Sequence, residues 1–118
     1  MPATMNPQVW KAVNMFTELV KLAYGDELVG IIAFGSQVRG DATENSDIDI
    51  AVILTTVGDR RSVRDNLSNL SYEVLLATSE DVRAVLLSQQ QWDNPDIFTN
   101  PQLIHQIRRE GYVIAPYL

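Results

Sequence analysis

Cysteine is absent from the chain, which removes disulfides and thiolate metal sites from consideration and is consistent with the cytoplasm, the expected location. Cationic residues are scarce: 9 Lys and Arg stand against 15 Asp and Glu, for a formal net charge of −6. Stable binding of a long nucleic acid runs on clustered cations, so that partner is not expected, although a single bound triphosphate stays within reach. No apolar run approaches the roughly 20 residues of a membrane span, and Met1 to Met5 does not open a signal peptide. The one histidine, His105, lies among Leu103, Ile104 and Ile107 in an expected helix, where a structural or surface role outweighs a catalytic one. What is present is a globular composition, 46% hydrophobic and 20% charged over 118 residues, which suits a single domain over 1–118 with one modest core.

Val9, Val13, Phe16 and Val20 recur at helical spacing between Pro7 and Ala23, and Gly25 lies where that helix should stop. Leu28 to Phe34 is a short apolar run closed by Gly35 and reads as a strand covered on both faces. Asp47 to Leu54 alternates acids with isoleucines and then turns apolar throughout, so a second strand is expected. Between about Asp59 and Leu70, the residues Val63, Leu67 and Leu70 trace a crossover helix, with Arg60, Arg61 and Arg64 on its solvated side. Ser71 to Ala77 is expected as a third strand and Glu80 to about Gln90 as a helix capped by Thr78 or Ser79. A last helix runs from Pro101 to Glu110 and is stopped by Gly111, before an apolar tail from Tyr112 to Leu118. The fold class that follows is α/β (α+β), a small mixed sheet with helices packed against it.

Three features carry chemistry. Gly35-Ser36 at the exit of the first strand lets the backbone approach a phosphate, and Ser36 offers both its hydroxyl and its N–H. Asp47 and Asp49 are one residue apart, so on a strand both carboxylates face the same way, with roughly 7 Å between their Cα atoms, and they can share divalent cations. Glu73 is a lone acid in the expected third strand, and the crossover helix would bring it to the same end of the sheet. Rival motifs fail on particular residues. Gly35-Ser-Gln-Val-Arg-Gly40 has the glycine spacing of a P-loop, but Asp41 and Ala42 stand where Lys and Ser or Thr are needed. Asp47-x-Asp49 begins like an EF-hand loop, yet Val52 replaces its glycine. A phosphoacceptor receiver domain stays open as a third possibility: it would put its acids at the carboxyl ends of parallel strands, so the relation of the first two strands decides, and here the acids open a strand.

Phe34-Gly35-Ser36, Arg39-Gly40, Ser46-Asp47-Ile48-Asp49-Ile50-Ala51-Val52 and Tyr72-Glu73-Val74 resemble the motifs of the minimal nucleotidyltransferases of the DNA polymerase beta superfamily. Ile107 to Ile114 is similar to the closing helix and strand of small members. The resemblance implies transfer of a nucleoside monophosphate, usually AMP from ATP, to an acceptor hydroxyl with release of pyrophosphate. It implies that Asp47, Asp49 and Glu73 hold two Mg²⁺ ions and that Gly35 and Ser36 hold the triphosphate, with Arg39 as a candidate for neutralising phosphate charge. It also implies a helical HEPN-type partner protein, in a pair where the nucleotidyltransferase acts as antitoxin. A non-catalytic module that binds nucleotide or partner stays open beside the enzyme.

Overall fold

Asn6 starts the first helix by accepting the N–H of Gln8 on its side chain, with Pro7 preset for the first turn, and helix α1 (Pro7–Tyr24) then runs to Gly25 at φ 53. This is a computed structural model, which describes residues 5–116. The α1 stripe of Val9, Val13, Phe16 and Val20 is buried as its spacing requires. After a single 3₁₀ turn come β1 (Leu28–Phe34), with all seven residues buried, the four-residue α2 (Ser36–Arg39) and β2 (Ile48–Leu54). The long α3 (Arg60–Thr78), β3 (Val82–Ser88), α4 (Gln89–Asp93), α5 (Pro101–Glu110) and β4 (Tyr112–Pro116) complete the described chain.

The strands form one mixed sheet in the order β3-β2-β1-β4. β1 lies antiparallel to both β2 and β4, while β2 and β3 are parallel and joined through α3, as a parallel pair requires. Even-numbered β2 residues, Ile48, Ile50, Val52 and Leu54, pack with the cores of α1 and α3; Ala51 and Ile53 face the opposite way and pack with Ile104 and Ile107 of α5. Each of the larger of these side chains contributes roughly 1.5–3 kcal/mol by leaving water. Helices therefore cover both faces, and along the two central strands only Asp49, near the head of β2, is less than fully buried.

The expected third strand is wrong. Ser71 to Ala77 continues α3, and Glu73 is exposed on it. Val74 extends the helical stripe of Leu67 and Leu70 and is fully buried, whereas Tyr72 and Leu76, which a strand would have buried, are 59% and 69% exposed. The helix ends at Ser79, in the left-handed region at φ 66, with its N–H on Leu75 O. The expected helix from Glu80 to Gln90 is likewise corrected: most of it is β3, followed by the short α4, which a capping box between Ser88 and Gln91 begins. Arg60 does not sit on a solvated basic face; it donates to Leu86 O at 2.8 Å and Gln91 Oε1 at 2.6 Å and fastens α3 to the end of β3. The apolar tail is strand β4 as far as Pro116, and residues 117 and 118, like 1–4, lie outside the described residues. No helix among the described residues is long and apolar enough to cross a membrane.

Candidate active site

Antiparallel pairing sets Phe34 against Asp49, so the turn that leaves β1 meets the acid near the head of β2. Gly35 there has φ 83 and ψ −159, a backbone conformation natural only to glycine. Its missing side chain is used: a Cβ on Gly35 would lie 2.4 Å from Asp49 Oδ2. The carboxylate of Asp49 thus rests directly over the glycine. Ser36 follows, half-buried, and the N–H groups of Val38 and Arg39 close the turn on Gly35 O at 3.1 and 3.0 Å. Gln37 is buried and donates to Ser46 O at 3.2 Å, which holds the connection to β2 against α2.

Asp47 precedes β2 and accepts a hydrogen bond from Arg83 Nη2. Arg83 is the direct β3 partner of Asp49 in the parallel ladder. Asp49 is half-buried, and burial pushes its carboxyl above the ordinary value of 3.8; Arg83 opposes that shift and the charge of Asp47 adds to it. The sequence-predicted Gly35, Ser36, Asp47 and Asp49 are therefore gathered at one end of the sheet. Arg39 stands at the end of α2 beside them, exposed, and paired with Glu110 at 3.0 Å and Asp41 at 3.3 Å. Glu73 is not brought in.

Glu110, at the end of α5, is the residue that sequence reasoning missed. Its Oε1 accepts from the Gly35 N–H at 3.1 Å, Arg39 Nη1 at 3.0 Å and Gln106 Nε2 at 2.8 Å. Burial pushes the Glu110 carboxyl up, but the hydrogen bonds of Gln106 and Gly35 and the charge of Arg39 outweigh it, and the net shift is below the ordinary 4.5. A carboxylate held below its unfolded value contributes stability that is complete above about that value and is lost as pH falls through the folded one. Glu110→Gln is therefore expected to make the acid-side loss of melting temperature shallower than in the wild type. Equal slopes in thermal melts taken from neutral to acid pH would count against this linkage.

As to a metal, Asp47 and Asp49 offer oxygen donors close enough for the charge of one to act on the other, a set that suits one hard divalent ion. A second ion needs a third carboxylate, and among the described residues no three acidic or histidine side chains are grouped to hold a metal. Asp81, just ahead of β3, is exposed and lends only its carbonyl, to the Ile48 N–H at 2.9 Å. Two ions do not fit this donor set.

The family described as polymerase beta, nucleotidyltransferase matches residues 18–116. Two proteins of Methanocaldococcus jannaschii that carry protein adenylyltransferase in their names are similar in sequence. One is 46% identical over 49 residues, 42% of this chain and 33% of its own length, so the match spans about a third of that relative. The other is 36% identical over 80 residues, 68% of this chain and 74% of its own. Among solved structures, a toxin–antitoxin complex with AMP-PNP superposes with a TM-score of 0.62 at 24% identity, over 88% of this chain and 73% of the other. A complex of tri-AMPylated Shewanella oneidensis HEPN toxin with MNT antitoxin gives a TM-score of 0.51 at 20% identity, over 89% and 72%. At these identities the structural likenesses speak for the fold alone.

Proposed function

The chain belongs to the polymerase beta nucleotidyltransferase family, and from that premise we propose that it transfers AMP from ATP to a hydroxyl of a partner protein and releases pyrophosphate. One observation carries the reading: Gly35, in a conformation that only glycine adopts freely, lies against the carboxylate of Asp49 at the point where β1 hands the chain to the loop before β2. That arrangement brings a phosphate-admitting backbone and a metal-binding acid together. In this proposal Asp47 and Asp49 hold one Mg²⁺, which supplies charge neutralisation at the transferring phosphorus. The chain's own groups do the placing. Gly35 lets the triphosphate close on the backbone, and Ser36 donates its hydroxyl to it. Glu110 fixes the turn through the Gly35 N–H and aims Arg39 at the same edge. Glu73 has no part.

The acceptor is proposed to be a protein because the sequence relatives are named for protein adenylyl transfer and a related fold is found beside an AMPylated HEPN toxin. A HEPN-type helical partner, with this chain as antitoxin, is the corresponding expectation, and a cytoplasmic location belongs to the same proposal. The test is incubation with α-labelled ATP and Mg²⁺ in a lysate of the native host, followed by gel analysis. Label on a protein, dependent on the added chain, is the expected result. Nucleotide binding with no label on any protein would favour the second reading, a module that binds without transfer, which the lack of a third grouped carboxylate among the described residues supports.

A further inference from the structure

We infer that Arg83 takes the place of a second divalent cation: its guanidinium, tethered by Asp47, contacts the phosphates of a bound nucleoside triphosphate, and the site takes one metal ion. This rests on the nucleotide-site reading above and adds a phosphate-binding residue to it. The crossover β2-α3-β3 brings β3 alongside β2 in parallel, and the ladder pairs Asp49 with Arg83, Ala51 with Val85 and Ile53 with Leu87. Partners in a parallel ladder point to the same face, as the shared cluster of Ala51, Ile53 and Leu87 demonstrates. Arg83 therefore occupies the β3 position from which a third carboxylate would reach an ion held by Asp49. The residue there carries the opposite charge.

Its state agrees with that role. The Arg83 side chain is 70% exposed, against 29% for Asp47, so it is held at one end and open to a ligand. A guanidinium has five N–H donors in a planar fork, of which the Asp47 contact engages Nη2. Arginine in this geometry suits phosphate oxygens. A second divalent ion placed between Asp49 and β3 would meet this fixed positive charge without a third anionic donor. Arg39 does not duplicate the role, since its guanidinium is shared between Asp41 and Glu110.

The test counts ions. Mn²⁺ is titrated into the full chain in the presence of a non-hydrolysable ATP analogue and followed by electron paramagnetic resonance, with analogue affinity measured by calorimetry. The expected result is one Mn²⁺ per wild-type chain and two for Arg83→Asp, which puts a carboxylate on β3 opposite Asp49. Arg83→Ala is expected to lose at least about tenfold in affinity for the triphosphate analogue, much less for AMP, and Arg83→Lys to recover part of the loss. Two Mn²⁺ ions in the wild type, or an unchanged affinity in Arg83→Ala, would overturn the inference while leaving the nucleotide site in place. Failure of every variant to bind either Mn²⁺ or the analogue would instead overturn the site reading, and the inference with it. Arg83 is exposed on an edge strand, so its variants are expected to melt near the wild-type temperature.

Discussion

Asp49→Asn is expected to lower the rate of AMP transfer by at least about a hundredfold and, at neutral pH, to raise the melting temperature. The rate loss follows from the several kcal/mol that metal coordination contributes to charge stabilisation at phosphorus, each 1.4 kcal/mol or so being a factor of about ten. The gain in stability follows from burial. Asp49 is half-buried, and burial, with the neighbouring charge of Asp47, lifts its carboxyl above 3.8 in spite of Arg83 and Arg39. A carboxyl that is raised in the folded state holds its proton more tightly there than in the unfolded chain. Stability contributed by this group therefore falls as pH rises from about the unfolded value through the raised one, and the full cost stands above it. Asparagine carries no charge to desolvate, so its advantage should be greatest near neutrality and vanish in acid. Initial rates of label transfer and melts at both pH extremes check the two halves independently. Undiminished transfer would remove Asp49 from the metal site; a lower neutral melting temperature would mean that its carboxylate is welcomed by the fold.

The two central strands were legible because their signal is local: Leu28 to Phe34 and Ile48 to Leu54 are buried runs bounded by Gly35 and by acids. Their antiparallel pairing, which sets Phe34 against Asp49, is what one site requires of the end of the first strand and the head of the second. The third strand was not legible. α3 has no glycine or proline between Arg60 and Thr78, and the residue that stops it, Ser79 at φ 66, is not one that sequence reasoning expects in the left-handed region. Val82 and Leu86 are four apart, a spacing that suits one face of a helix and one face of a strand equally, so β3 could pass for a helix. The error carried into the chemistry. With the strand placed too early, Glu73 falls where a third acid is wanted, while Arg83, the residue that lies opposite Asp49, has no place in the site. Glu110 had no local signal at all, because its role depends on Gly35, which is 75 positions away in the chain.

Gly35→Ala is expected to damage both the fold and the site, and the two losses can be separated. A residue with a Cβ at φ 83 is strained by roughly 1–3 kcal/mol, which for a domain of this size lowers the melting temperature by about 4 °C per kcal/mol. The added Cβ would also stand 2.4 Å from Asp49 Oδ2 and 3.3 Å from its Cγ, so the carboxylate has to swing away, and MgATP binding should fall with it. Asp49→Ala removes both of those atoms and leaves only the Asp49 Cβ, at the ordinary contact distance of 3.4 Å. In that background the same glycine substitution should keep its backbone strain but lose its clash, so the stability cost should shrink without disappearing. Thermal melts of the wild type, both single variants and the double variant close the cycle. A cost that is identical in the two backgrounds would mean that the φ of Gly35 alone requires glycine; a cost abolished by Asp49→Ala would mean that the carboxylate alone does.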